Sequence, residues 1–370
     1  MKVAITGGRG FLGWHLACRL RAQLGVEPVL LGRDELGDPD RARTLVADAD
    51  VVVHLAGVNR AETDELVEAG NVEAAHELVE VLPQGVRLVF GNTTQSLLDN
   101  PYGRGKAAAS DVLRRAVESG GGTFVDVLLP NLYGEHGRPH YNSFVATFCH
   151  LVATGGEPQV TEDREVRLLH AQRAAQVLID AMDDTTDDVL EPEGRTTRVS
   201  DVLARLRGYH ATYTDGDLPD LTGEFDVDLF NTYRSFVFPD SFPRYAQVHA
   251  DPRGALFETS RAHGGTSQTF VSTTRPGHTR GDHYHLHKIE RFFVVSGEAE
   301  ISLRRLLTDE VVRFRVSGER PGFVDMPTLW VHNITNVGQD DLVTMFWSDQ
   351  LLDLDRPDQY AEAVETGQSA

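Results

Sequence analysis

The stretch KVAITGGRGFLG, residues 2–13, decides the fold of the first half of the chain. A short apolar run, KVAITG (2–7), reads as a strand and leads into three glycines set three apart, Gly7, Gly10 and Gly13, which open a helix. Glycines at these places let the backbone turn tightly, approach a pyrophosphate and pack helix on strand, while the first N–H groups of the helix face the phosphates. The spacing is GxxGxxG rather than the commoner GxGxxG. Strand, glycine turn and helix in this order predict a dinucleotide site built by Gly7, Gly10, Phe11, Leu12 and Gly13.

Working outward, four more apolar runs read as strands: PVLLG (28–32), DVVVHLAG (50–57), RLVFGN (87–92) and TFVDVLLP (123–130). Segments such as ETDELVEAGNVEAAHELVEVL, with spacing near 3.6, separate them. Runs that are apolar at both parities belong to strands buried on two faces, so a doubly wound parallel α/β sheet is expected. The second strand ends at LLGRDE, where an acid would grip a ribose 2′-hydroxyl and an arginine would accommodate a 2′-phosphate. Arg33 therefore favours NADP(H). After the fourth strand and the hydroxyl-bearing NTTQ (92–95) comes YGRGK, which sets Tyr102 and Lys106 four apart at a helix start, on one face. A cation beside a phenol favours phenolate, and such a phenol can pass a proton to a carbonyl oxygen while hydride moves at its carbon.

The 370 residues are too many for one ordinary core, and a formal charge of −21 leaves no basic stripe for nucleic acid or an anionic membrane. A small ligand is expected. Cys18 and Cys149 are far apart and in no metal-type pair, no signal peptide is apparent, and no apolar run approaches the ~20 residues that span a bilayer. A soluble cytoplasmic protein is expected. After about residue 184 the pattern changes: DDTTDDVLEPEGRT and TDGDLPDLTGEFD read as connecting or partly ordered segments. From Ser241 onward short strands dominate, TSQTFVST, ERFFVVSG, EAEISLRRL, EVVRFRVS, GFVDMP and DLVTMFWS, and these suggest a β-sandwich or barrel. The boundary is set at 240/241.

Residues 1–240 resemble the short-chain dehydrogenase/reductases of the extended, sugar-nucleotide-modifying type, on TGGRGFLG, HLAG (54–57), YGRGK and LPNLYG (129–134). The resemblance implies that Tyr102 is the acid, that Lys106 holds the cofactor ribose and lowers the tyrosine pKa, and that Thr93 binds the substrate carbonyl. It also implies that Leu55, Ala56 and Gly57 line the cofactor and that Asn131 lies near the nicotinamide or sugar. The strand expected to carry an adenine-contacting aspartate is shortened or absent between Arg33 and Asp50.

In the second half, Gly277, His283, His285, Glu290 and Gly297 give G-x5-H-x-H-x4-E-x6-G, and PTLWVHNITN adds His332 and Asn336. This is similar to the two-motif pattern of the cupins, with Leu329 where the second motif usually has glycine, and it implies a jelly-roll (double-stranded β-helix) domain over 241–370. His283 and His285 share a strand face, whereas Glu290 has the opposite parity and needs a turn to join them. Three imidazoles and a carboxylate suit a borderline divalent metal such as zinc, and the ligands alone leave iron, manganese and nickel open. Both halves together closely resemble the bifunctional capsular-polysaccharide enzymes that process UDP-2-acetamido-2,6-dideoxy-hexos-4-uloses towards N-acetyl-L-fucosamine. The resemblance implies C3 epimerisation in the cupin, then NADPH reduction at C4, on a UDP-linked sugar, in a homodimer.

Only three lysines, Lys2, Lys106 and Lys288, stand against 32 arginines. Arginine is a poor proton shuttle and lysine is not, so Lys288 reads as a proton-transfer or substrate-contacting residue, against a solvated loop residue. His287 and Tyr284 are candidates for the same work, and Asp282 for supporting a histidine ligand. Other readings stand beside this one: a reductase whose second domain only staples an oligomer or binds, a non-catalytic NADP sensor, and a cupin dioxygenase. Tyr102 and Lys106 speak against the sensor.

Overall fold

The computed structural model describes residues 1–183 and 189–365. Of the acidic segment DDTTDDVLEPEGRT, residues 184–188 lie outside the described residues. The chain forms two compact units, one of Met1–Tyr133, Gly137–Phe144 and Arg164–Arg198, the other of Gly134–His136, Val145–Asp163 and the stretch from Val199 onward.

In the first unit, β1 (Val3–Thr6), β2 (Val29–Leu31), β3 (Val51–His54), β4 (Arg87–Thr93), β5 (Thr123–Leu129) and β6 (Val189–Leu190) form a parallel sheet in the order β2-β1-β3-β4-β5-β6. The strands are apolar at both parities because each face is covered. Val3, Ile5, Val53, Val89 and Val127 pack on one side with Leu16 and Leu20 of the helix Phe11–Leu24 and Leu178 of Ala171–Asp180. Ala4, Val52, Leu88 and Phe90 pack on the other with Leu78 of the helix Asp64–Val79 and Leu113 of Pro101–Ser119. A polar change on either parity would cost about 1.5–3 kcal/mol of apolar burial per aliphatic side chain, which explains the uninterrupted runs.

The sheet is filled from β1 outward to β2 on one side and from β3 onward on the other. The C-terminal ends of β1 and β3 are therefore the switch point where such sheets take ligands. Between β2 and β3 lie two short helices, Arg33–Leu36 and Pro39–Val46, and no strand, so β2 is the sheet edge and the further strand is absent.

In the second unit, β7 (Gln268–Thr274), β8 (Thr279–Tyr284), β9 (Glu290–Ser296), β10 (Glu298–Arg305), β11 (Val311–Ser317), β12 (Gly322–Met326), β13 (Trp330–Asn336) and β14 (Leu342–Ser348) build two antiparallel, cupin-like sheets. One runs Arg244–Tyr245, β12, β9, β14, β7, and the other β11, β10, β13, β8, Tyr360–Ala361. Phe292, Val294, Ile301, Leu303, Val324 and Phe346 fill the space between them.

Two helices of this unit, Val199–Thr214 and Glu224–Arg234, were not expected, and the second covers part of TDGDLPDLTGEFD. Their signal is amphipathic rather than continuous: Val202, Leu206, Tyr209 and Tyr213 are buried between polar positions. Tyr213 then donates to Asp325 at 2.8 Å, and the same buried acid holds Arg291 through two bonds of 2.7 and 3.0 Å. By contact these helices group with the β-rich unit, although the sequence pattern divides at 240.

Candidate functional site

The glycine turn has the form a phosphate cradle needs. Gly7 adopts φ +67, and a Cβ on it would lie 2.7 Å from Ala56 N, so the turn closes against the segment leaving β3. A Cβ on Gly13 would meet Gly7 O at 2.4 Å, which is why the helix can enter so near the strand. That helix begins at Gly10 with no side-chain cap and no acid in its first turn, so its N–H groups face the crevice. Gly57 sits against Asn71, whose side chain bonds Val58 N at 3.2 Å and Val58 O at 2.8 Å and pins the loop. Arg33 is exposed at the end of β2. Arg9, inside the glycine turn, reaches the buried Glu35 through two bonds of 2.9 and 3.0 Å; with the Gly32 N–H it holds that carboxyl down at about 2.

Helix Pro101–Ser119 starts after Asn100, whose side chain accepts from Gly103 N at 2.8 Å, with proline at the first helical position. Tyr102 and Lys106 thus stand one turn apart beside the end of β4. Lys106 is buried; its Nζ donates to Gly91 O at 2.9 Å and lies 4.0 Å above the Phe90 ring. Burial pulls its pKa down to about 7 against the opposing pull of Asp126. The expected lowering of the phenol is not present here, since burial raises Tyr102 to about 12 and Lys106 is bonded to Gly91. His54, stacked on Phe90 and bonded to Thr6 Oγ1 at 2.7 Å, is driven down to about 3 by burial and then by Lys106. Thr93 is buried and its hydroxyl accepts from Gln95 N at 3.2 Å. Asn131 is exposed and donates to Arg167 O at 3.3 Å.

The second unit brings His283, His285, Glu290 and His332 together, with one donor atom from each lying within 4.8 Å of all the others. His283 and His332 are register partners on β8 and β13, and Glu290 opens β9 beyond the turn that its parity required. Glu290 Oε2 lies 3.7, 3.0 and 3.6 Å from the Nε2 atoms of His283, His285 and His332. Those three nitrogens are buried and have no hydrogen-bond partner, an orphaning that a bound cation would relieve. On the far side of the rings, His285 Nδ1 faces Asp358 O at 2.5 Å and His332 Nδ1 faces Trp330 O at 3.0 Å, so both imidazoles are oriented with Nε2 inward. Burial pushes Glu290 up, but the closeness of His285 and of the other two imidazoles outweighs it and holds the carboxyl well below the usual range. Burial brings His332 down to about 4, leaving a neutral ligand. This donor set fits a divalent ion of the zinc class.

Lys288 is buried, with Nζ 3.1 Å from Glu290 Oε1. Its loop is clasped by the Asp358 carboxylate, which accepts from Leu286 N, His287 N and Lys288 N at 3.1, 2.9 and 2.8 Å. His287 turns its carbonyl to Asn231, and Tyr284 stacks on Tyr360. Asp282 supports a neighbour other than a histidine: its Oδ1 accepts from Asn333 Nδ2 at 2.9 Å and Val364 N at 3.3 Å. Asn336 ties the backbone at Thr274 and Asp340. Leu329 takes φ +65, the conformation that the usual glycine would supply, so the turn before His332 is kept without it. Sequence reasoning missed Arg9, His54, Asp126 and Asp358. Arg9 was visible inside the quoted glycine stretch and Asp126 as a charge inside an apolar run, whereas nothing near Asp358 signals its role.

Residues 3–187 match the NAD dependent epimerase/dehydratase family, and residues 249–360 match the polysaccharide biosynthesis C-terminal domain. The chain is 32% identical, over 99% of its length and 100% of the relative's, to the UDP-2-acetamido-2,6-beta-L-arabino-hexul-4-ose reductase of Pseudomonas aeruginosa. It is 29% identical, over 38% of its own length and 55% of the relative's, to the dTDP-6-deoxy-L-talose 4-dehydrogenase (NAD(P)(+)) of Kitasatospora kifunensis. Among solved structures it is similar to the capsular polysaccharide assembling protein CapF from Staphylococcus aureus, at 30% identity and TM-score 0.63, covering 98% of this chain and 100% of that one. Among the described residues no helix is long and apolar enough to cross a membrane.

Proposed function

This chain belongs to the NAD dependent epimerase/dehydratase family, among the nucleotide-sugar 4-keto reductases and epimerases, and from that premise we propose that it reduces the C4 ketone of a UDP-linked 2-acetamido-2,6-dideoxy-hexos-4-ulose with NADPH, after inversion at C3 in the cupin-like unit. The observation that carries the reading is Tyr102 and Lys106, one turn apart at the start of the helix that leaves β4. A nicotinamide cofactor held by these residues would supply the hydride for C4. The Thr93 hydroxyl, already accepting from Gln95, donates to the ketone oxygen, and Tyr102 hands its proton to that oxygen as negative charge develops there. Lys106 provides the positive charge behind the phenol and a donor for the cofactor ribose. Gly7, Gly10, Phe11, Leu12 and Gly13 cradle the pyrophosphate, Leu55, Ala56 and Gly57 wall the nicotinamide side, Asn131 lies at the sugar, and Arg33 with Arg9 offers cations for a 2′-phosphate.

Inversion at C3 is chemically sound before reduction, because the C4 ketone acidifies the C3 proton and reduction removes that ketone. In this reading Lys288 moves the proton or holds the substrate. His283, His285, Glu290 and His332 would hold a zinc-class ion, which would supply positive charge toward an enolate oxygen or a rigid frame. Four protein ligands fill a tetrahedral set, and that favours a second reading in which the ion staples the fold and the chain is a reductase alone. The reading includes a cytoplasmic homodimer.

Incubation with the UDP-linked 4-keto sugar and NADPH, followed by absorbance at 340 nm and product NMR, tests the reductase. Oxidation of NADPH with a new C4 alcohol is expected, and its absence would overturn the proposal. Deuterium entering C3 without NADPH supports inversion, and no entry selects the reductase alone.

A further inference from the structure

Asp126 stands in the middle of β5, buried, in a run that is otherwise apolar. Its Oδ2 accepts from Asn92 Nδ2 at 3.1 Å and from Ser110 Oγ at 2.5 Å, while Oδ1 is buried with no hydrogen-bond partner. A half-satisfied carboxylate in a parallel-sheet interior costs stability unless a charge faces it. The surroundings supply one. Asp126 is the register partner of Phe90 on β4, and the Phe90 ring carries the Lys106 ammonium 4.0 Å above its centre. Ser110, which bonds Asp126, lies one helical turn beyond Lys106, as Tyr102 lies one turn before it.

We propose that Asp126 is a positioning residue for the reductive step, the buried counter-charge that holds the Lys106 ammonium behind Tyr102. The groups facing Lys106 leave this task to no other side chain among the described residues. The Phe90 ring and the Gly91 carbonyl come from β4, and His54 from β3 is kept neutral by burial. Tyr102, on its own helix, is a protonated phenol. Burial acts to neutralise Lys106, and Asp126 is the charged group acting the other way. Asn92 and Ser110 hold Oδ2, which fixes the carboxylate, while the buried Oδ1 has no donor to offset its charge. The argument rests on the reductase reading for what the ammonium is for, but the ion–ion coupling itself can be read without turnover.

Three lysines make that reading direct: in full-length protein carrying ¹³C at lysine Cε, the chain gives three signals, and Lys106→Arg assigns the one of interest. In folded Asp126→Asn, whose amide can still meet Asn92 and Ser110, the Lys106 midpoint is expected to fall by at least about one pH unit while Lys2 does not move. NADPH-dependent turnover is expected to drop about tenfold at neutral pH and to recover as pH is lowered, a split that a merely structural role would not produce. Ser110→Ala, which keeps the charge, is expected to leave the midpoint near the native one. An unmoved Lys106 midpoint in folded Asp126→Asn overturns the proposal. If Asp126→Asn does not fold, Asp126→Glu, which displaces the charge, must shift the midpoint or the proposal fails. A shifted midpoint in a protein that oxidises no NADPH with any keto-sugar nucleotide would uphold the counter-charge and sink the reductase reading instead.

Discussion

At the scale of single residues, the reductase centre sets two groups against the same solvent exclusion, with opposite results. Burial raises Tyr102 to about 12 and keeps the phenol loaded with its proton, while it lowers Lys106 to about 7. A lysine whose folded value lies below its ordinary one loses its charge early, so kcat/KM for NADPH, which reports the free enzyme, is expected to fall as pH rises through about 7. Tyr102→Phe removes the proton donor and is expected to cost about 10²–10⁴ in kcat with NADPH binding retained, as cofactor fluorescence would show. Asp349 provides a stability counterpart. Burial raises it to about 6, although it accepts from Ile289 N at 2.8 Å. Its contribution is therefore full below about pH 4 and lost as pH rises through about 6. Asp349→Asn keeps the acceptor, and is expected to be about 1–3 kcal/mol more stable than the native protein at pH 7, with urea midpoints converging near pH 4. Residue identities at the two centres were legible because chemistry restricts them: a tyrosine and lysine four apart, or three imidazoles with a carboxylate, have few structural excuses. Which atom each would face was not, since Lys106 on Gly91 O and Lys288 on Glu290 depend on neighbours from other strands.

At the scale of elements, strands with continuous apolar runs could be read closely, β1, β2, β4 and β5 to within a residue or two and β3 to within three at its C-terminal end, because two buried faces leave no polar interruption. The helix Val199–Thr214 escaped, since arginines and aspartates dominate its outer face and its apolar stripe is visible only after the packing is known. β8 and β13, which carry three of the four candidate ligands or adjoin them, also lie outside the expected strand set. Glycine, histidine and asparagine dilute their pattern, and a bulge between Gly281 and His283 shifts their register. Leu329 illustrates how an element can depart from its family pattern and keep its shape. A left-handed leucine costs about 1–2 kcal/mol, yet its fully buried side chain contributes about 2–5 kcal/mol. Leu329→Gly is therefore expected to lower the melting temperature despite relieving the backbone, and a rise would show that strain dominates. Asp358 should matter to its element in a different way: Asp358→Ala keeps the carbonyl that faces His285 but removes the carboxylate from Leu286 N, His287 N and Lys288 N, and is expected to weaken zinc binding about tenfold, measured by competition with a chromophoric chelator, through loosening of the loop.

For the whole molecule, the division into a parallel α/β half and a β-rich half was plain from the change of strand rhythm, while the grouping of the helices beyond residue 199 with the latter depends on contacts that no local pattern carries. The net charge of −21 acts on every substrate encounter, since a nucleotide diphosphate sugar is itself an anion. Raising the salt from about 10 mM to 150 mM shortens the screening length from about 30 to 8 Å, and kcat/KM for such a substrate is expected to rise about two- to five-fold. The ties at Asp358 and Val364 have a consequence for how the protein is made. A growing polypeptide that has exposed His332 already offers all four donors to a passing cation, but the loop that orders them stays untied until residue 364 has cleared the ribosome. In the reading where the four donors hold an ion, its durable loading is thereby coupled to translation through that point.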